Sequence, residues 1–278
     1  MLSKRKKRTL ISGYAVLIFW TIFCLFPLST MLLIAFKPKD AFMSFPPDYL
    51  SIKLTLSNFI IVLRDAHWLK YYSDTIIIAL SASFISVLIG SLAAFSFARY
   101  TFRLKGFFMV FILALQMIPS ASFVIPLYNM FANLNLLDTY TVLILLNSVG
   151  TMPLVIWLMK GYFTTIPREL EEAAFLDGCS RLKAFRKITF PLAAPGIAAS
   201  TIYAFVRAFN DYIIARTLAG SRVVTYTVGL TTFTNQYEGI DMTLVSAASF
   251  AALLPIIVMF ALFHKHFVIG LTGGALKG

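Results

Sequence analysis

The chain has 278 residues, of which 59% are hydrophobic and only 13% charged. A soluble globular domain carries about 25% charged residues, so this composition excludes a water-facing surface of ordinary size and makes lipid the natural solvent. The net charge of +12 would suit nucleic acid if the basic residues formed one stripe, but they fall in short clusters between long apolar runs, the pattern of membrane orientation signals.

A helix that crosses the hydrocarbon core needs about 20 predominantly apolar residues. The chain opens with a basic segment, 1–12, that contains Lys4, Arg5, Lys6, Lys7 and Arg8. The first uncharged run, Gly13 to Phe36, is longer than a signal-peptide core and ends Leu-Ile-Ala-Phe-Lys rather than in a small-residue cleavage site, so it reads as a retained helix. A long outer loop, 37–74, follows, with Pro46 and Pro47 inside it. The second run is Thr75 to Ala98. The third, Gly106 to Leu137, is longer than one span needs; with Pro119 and Pro126 inside it, the expectation is one kinked helix ending near Asn133. Thr139 to Met159 is the fourth run, Ile188 to Ala215 the fifth, compromised by Arg207 and Asp211, and Met242 to Phe263 the sixth, followed by a tail over 264–278. The expected class is therefore an all-α integral membrane protein with about six transmembrane helices in a membrane domain spanning 13–263.

Orientation follows from the basic residues. The amino-terminal cluster, Arg99, Arg103 and Lys105, then Lys160, Arg168, Arg181, Lys183, Arg186 and Lys187, and finally Lys265 and Lys277, all fall on one side of the six-helix path. The other side holds fewer, mostly in the long first loop. The positive-inside rule puts both termini and the segment 160–191 in the cytoplasm.

Chemistry within the membrane finds little support. Cys24 and Cys179 read as inert thiols, and His67, His264 and His266 have no ligand-type spacing to them. No paired carboxylates or nucleophile–base pair lies in a clean span, which argues against an intramembrane enzyme. A phosphate-binding Gly-x4-Gly-Lys-Ser/Thr loop is absent from the sequence, so the chain does not hold ATP through one. A secondary transporter or channel would need inverted repeats or ion-carrying acids.

The segment 160–191 stands apart. Pro167 suits a first helical turn, and Glu169, Glu171 and Glu172 follow where a helix dipole favours acid. Leu170, Ala173, Ala174 and Asp177 recur with helical spacing and form one face. Gly178 permits a turn, and Ser180 can cap a second helix in which Leu182, Phe185 and Ile188 share a side before Pro191 ends it. Two short helices at a tight turn make either a compact knob for a partner or a helix pair lying on anionic lipid.

Glu172-Ala173-Ala174-Phe175-Leu176-Asp177-Gly178, followed by Ile188-Thr189-Phe190-Pro191, resembles the EAA loop of ATP-binding cassette importer permeases, with Cys179 where alanine is usual. Ser96-Phe97-Ala98-Arg99, Phe209-Asn210-Asp211-Tyr212 and the run from Phe267 to Gly278 resemble the sugar branch of that family, in the style of the maltose permease's second subunit. The resemblance implies a type I importer permease fold in a prokaryotic inner membrane. It makes Glu172, Ala173, Ala174, Asp177, Gly178, Ile188 and Pro191 the coupling element that docks on a separate ATPase. It further implies a second, different permease chain, two ATP-binding subunits that hold the ATP and Mg, and an extracytoplasmic solute-binding protein; this chain itself would bind no cofactor. A polyol or glycerophosphodiester stands as the alternative to a sugar.

Within the fifth run, Arg207, Asn210 and Asp211 are expected to line the solute path, since intramembrane charge is functional by default. Gln116, Asn147 and Ser148 are weaker candidates for the same lining, with interhelical packing as the competing role.

Overall fold

A computed structural model describes residues 4–39, 54–235 and 239–275, with side chains described over 12–39, 54–233 and 240–263. Pro46 and Pro47 lie outside these limits, as do the side chains of His264, His266 and the carboxyl-terminal run. Among the described residues, four helices are long and apolar enough to cross a membrane, or six spans if each of two bent helix pairs counts as one.

Helix α1, Lys4–Ala35, starts within the basic segment rather than after it; Lys and Arg are good helix formers, and nothing there breaks the helix. Helix α2, Ser57–Arg64, lies inside the expected outer loop. Helix α3, Ala66–Arg99, starts well before Thr75. Its start is set by Asp65, whose carboxylate accepts from the backbone N–H of His67 at 2.8 Å and of Trp68 at 3.4 Å. Apolar content marks the lipid-facing part of a helix, whereas the cap marks its true beginning.

The third run is broken rather than kinked. Helix α4, Lys105–Ala114, continues into a 3-10 turn at Leu115–Met117; a second 3-10 turn, Ser120–Phe123, leads into α5, Val124–Asn133. The two halves meet at 86°. Pro119, extended at φ −60° and ψ 129°, sits at the break, and Pro126 falls in the first turn of α5, where its missing N–H costs nothing. Helix α6, Tyr140–Thr165, is continuous through Pro153.

The fifth run also divides. Helix α7, Glu169–Leu176, and α8, Arg181–Ala184, belong to the loop. A π-turn, Phe185–Thr189, then joins α8 to the three-residue α9, Phe190–Leu192. After a 78° bend comes α10, Ala194–Phe209, and then α11, Ile213–Leu218. Pro191 therefore lies within helical structure instead of ending it. Helix α12, Tyr226–Gly229, and a two-residue antiparallel pair, β1 Thr234–Asn235 with β2 Gly239–Ile240, precede α13, Met242–Ala275. Most of the expected tail is thus helical.

The chain packs as two units. The first comprises Met1–Leu69 and Leu230–Leu253. In it, Asn58 Nδ2 donates to Ala35 O and Lys37 O, both at 2.8 Å, closing the end of α1. Phe36 packs on Phe59, and Asp241 caps α13 by accepting from Thr243 and Leu244 N–H.

The second unit comprises Lys70–Gly229 and Leu254–Gly278. Its core includes two apolar clusters among the described residues. One joins Val87, Ala94, Val155, Met159, Phe163 and Phe185; the other joins Ile78, Phe131, Val142, Leu143, Leu218 and Val223. Helices α3 and α6 are stitched by buried hydroxyls: Ser86 Oγ donates to Ser148 O at 2.8 Å and lies 2.6 Å from Thr151 Oγ1. Helix α10 approaches α6 at Gly196, where a Cβ would meet the Tyr162 side chain at 2.5–2.8 Å.

At the end of α6 remote from the 160–191 loop, two carboxylates clamp residues 220–224. Asp138, at φ +56°, accepts from Gly220, Arg222 and Val223 N–H at 2.8–2.9 Å. Burial pushes its pKa up, but these N–H groups and that of Ser221 outweigh it and hold the carboxyl below its ordinary value. Asp74, 2% exposed, accepts from Lys70 Nζ at 2.7 Å, Tyr140 OH at 2.6 Å and Val224 N at 3.1 Å.

Candidate functional site

The 160–191 loop is two short helices joined by a Schellman turn. Gly178, at φ +79°, donates to Phe175 O at 3.0 Å, and Cys179 donates to Ala174 O at 2.9 Å. Gly178 thus has the left-handed conformation that its place in the sequence suggests, with Asp177 as the C-cap. Ser180 caps α8, accepting from Lys183 N at 3.4 Å. Pro167 lies two residues before α7 rather than in its first turn, because Arg168 is the N-cap.

The faces of these helices differ from the sequence reading. On α7 the buried residues are Glu171 and Ala174, while Leu170, Glu172, Ala173 and Asp177 are exposed. On α8 and the π-turn the buried residues are Ala184, Phe185 and Thr189, with Ile188 half-buried and Leu182 and Pro191 exposed. Leu176 at 90% and Leu182 at 69% exposure stand beside Glu172 and Ala173 on the outer surface.

Beneath the knob lies a polar network that sequence reasoning missed. Arg99, in the last turn of α3, places Nε and Nη2 each 2.7 Å from Glu171 Oε1, and both side chains are 7% exposed. Thr189 Oγ1 donates to the same oxygen at 2.8 Å, and Arg99 Nη2 also donates to Ile166 O, the C-cap of α6, at 3.0 Å. Arg168 Nη2 donates to Ala98 O at 3.4 Å. Arg181 donates to Tyr100 OH at 3.0 Å, its guanidinium lying 5.5 Å from the ring centroid. Phe95, Phe163 and Phe185 pack together just inside this layer. Nothing in the local sequence distinguishes Glu171 from Glu169 and Glu172.

The expected solute-path residues are partly brought together. Asn147, Arg207 and Asp211 line one small hollow with Ser120, Gly150, Thr151 and Ile214. Gln116 Nε2 donates to Gly150 O at 2.8 Å, at the edge of the same hollow. Arg207 is in the last turn of α10, Asn210 is its C-cap, and Asp211 lies beyond it, so these charges mark a helix end rather than a helix centre. Asp211 Oδ2 accepts from Ala215 N at 3.1 Å. Asn210 is not among the residues that line the hollow; it accepts from Tyr226 OH at 3.0 Å. Ser148 is buried and donates to Ile144 O at 2.6 Å, a packing role.

Residues 86–268, which include Arg99, the whole loop and the hollow's α6 and α10 residues, match the family described as "Binding-protein-dependent transport system inner membrane component". The chain belongs to this family. Among relatives of this inner membrane component, the trehalose/maltose transport system permease protein MalG of Thermococcus litoralis is 35% identical over 275 residues, 98% of each chain. The maltodextrin transport system permease protein MdxG of Bacillus subtilis is 35% identical over 269 residues, 96% of each chain. The inner membrane component also shares its fold with a chain in the crystal structure of a bacterial ATP-binding cassette transporter involved in import of the acidic polysaccharide alginate. The TM-score is 0.77 at 21% identity, over 96% of this chain and 99% of that one.

Proposed function

We propose that this chain is the permease subunit of an ATP-binding cassette importer that translocates a sugar or oligosaccharide delivered by an extracytoplasmic binding protein. The observation that carries the reading is the knob. The Schellman turn at Gly178 presents Glu172, Ala173, Leu176 and Leu182 outward, with no covering element among the described residues. A small residue lets a partner backbone approach, a carboxylate gains from charge-assisted bonds, and exposed leucines gain from burial. An ATPase subunit is the partner that the family membership favours. The sugar substrate is supported by relatives named for trehalose/maltose and maltodextrin transport, each aligned over nearly its full length.

In this reading the loop and both termini face the cytoplasm of a prokaryotic cell. Two ATP-binding subunits hold ATP and Mg, and a second, different permease chain completes the pore. Closure of the ATPases displaces the knobs, and the helix bundles rock as rigid bodies around the solute path. Arg207, Asp211 and Asn147 contribute polar groups to that path, with Gln116 and Asn210 at its margins.

Purification of the complex, followed by uptake measured over a panel of sugars loaded on the binding protein, tests the reading. Glu172→Lys and Ala173→Arg alter exposed positions and are expected to leave the permease in the membrane without its ATPase. Ala174, 4% exposed, is a packing position and unsuitable for this purpose. Retention of the ATPase and wild-type uptake in both variants would remove the docking role from the loop.

A further inference from the structure

The coupling helix has two working faces. Consecutive residues on a helix point about 100° apart, so Glu172 and Ala173 face outward while Glu171 and Ala174 face the bundle. The inward carboxylate is held by donors from two other elements: the Arg99 guanidinium at the end of α3 and the Thr189 hydroxyl in the π-turn that leads into α9 and α10. The same guanidinium reaches the carbonyl that ends α6. One oxygen of Glu171 therefore collects α3, α7 and the path to α10, and Arg99 adds α6.

Burial of an ion pair is poor evidence for stability, since well-packed apolar residues serve as well or better. Its particular property is direction: charge-assisted bonds hold one geometry, whereas apolar contacts slide. We infer that Arg99, Glu171 and Thr189 are positioning residues that transmit the displacement of the coupling helix to α3, α6 and α10. This inference rests on the docking reading above and adds how force applied to the outer face leaves through the inner one. The π-turn is suited to the receiving end, since such interruptions of regular helix are frequent at functional sites.

The test is uptake per ATP hydrolysed in the assembled transporter, a ratio that a merely structural role would not move. Arg99→Met combined with Glu171→Met removes both charges at once and leaves no buried ion unpaired; Thr189→Val removes only the link to the π-turn. Both are expected to co-purify with the ATPase in wild-type yield. Uptake per ATP should fall by about tenfold or more in the double variant and about fivefold in Thr189→Val, within the usual range of coupling energies. Ratios within about twofold of wild type in both assembled variants would overturn the inference. So would loss of the ATPase from both, which would make the network part of the docking surface. A wild-type complex that retains no ATPase, or Glu172→Lys and Ala173→Arg variants that both keep it with wild-type uptake, would instead sink the docking reading and the inference with it.

Discussion

At the scale of single residues, Gly178 shows how local chemistry sets the knob. No atom lies within 4 Å of a Cβ built there, so a side chain has room, and the obstacle is the backbone at φ +79°. Holding a β-branched residue in that region costs about 1–3 kcal/mol, while asparagine tolerates it. Gly178→Val is therefore expected to change the α7–α8 angle and lower ATPase co-purification, and Gly178→Asn to stay near wild type. Equal yields from the two variants would show that the turn's conformation is unimportant. Gly178 and Ser180 were legible in the sequence because a turn and a cap are made by near neighbours. Glu171 was not, because its partner Arg99 lies 72 positions away and three glutamates in one turn look alike. Of the four residues that share helical spacing on α7, Leu170, Ala173 and Asp177 are exposed, while Ala174 turns inward with Glu171; in an eight-residue helix, spacing alone does not tell which edge of a face packs on the rest of the chain.

At the scale of elements, apolar runs identified the spans but not their breaks. Pro119 and Pro126 look equivalent in sequence, yet one sits at an 86° break and the other in a first turn; the difference is whether the preceding residues end a helix or begin one. Helix α10 has 16 residues, about 24 Å at 1.5 Å per residue, which is shorter than the roughly 30 Å hydrocarbon core. Arg207, Asn210 and Asp211 gather at its carboxyl end. A helix end inside the membrane leaves backbone carbonyls and charges available to a polar solute. Arg207→Met and Asp211→Asn are each expected to lower uptake by about 10- to 100-fold, the worth of one hydrogen bond to a charged group, with unchanged ATPase co-purification. Normal uptake by well-expressed variants would leave these residues a structural role only.

At the scale of the molecule, an even number of spans returns both termini to one side, and the basic clusters choose which. Counting each bent pair as one span gives six, so a fluorescent protein fused after Gly278 is expected to light up in the cytoplasm. Activity from an exported phosphatase at the same point would contradict this arrangement. The hidden pairing of Arg99 with Glu171 also bears on how such a chain can be recombined. Segment 160–191 looks like a cassette, continuous in sequence and capped at its own turns, that could be exchanged between permeases to switch ATPase. It is not self-contained, because half of its anchoring charge belongs to residue 99. A graft that brings its own acid to position 171 but meets a neutral side chain at 99 would strand a buried carboxylate, at a cost of about 3–5 kcal/mol. Successful chimeras of this fold should be those in which residue 99 travels with the loop.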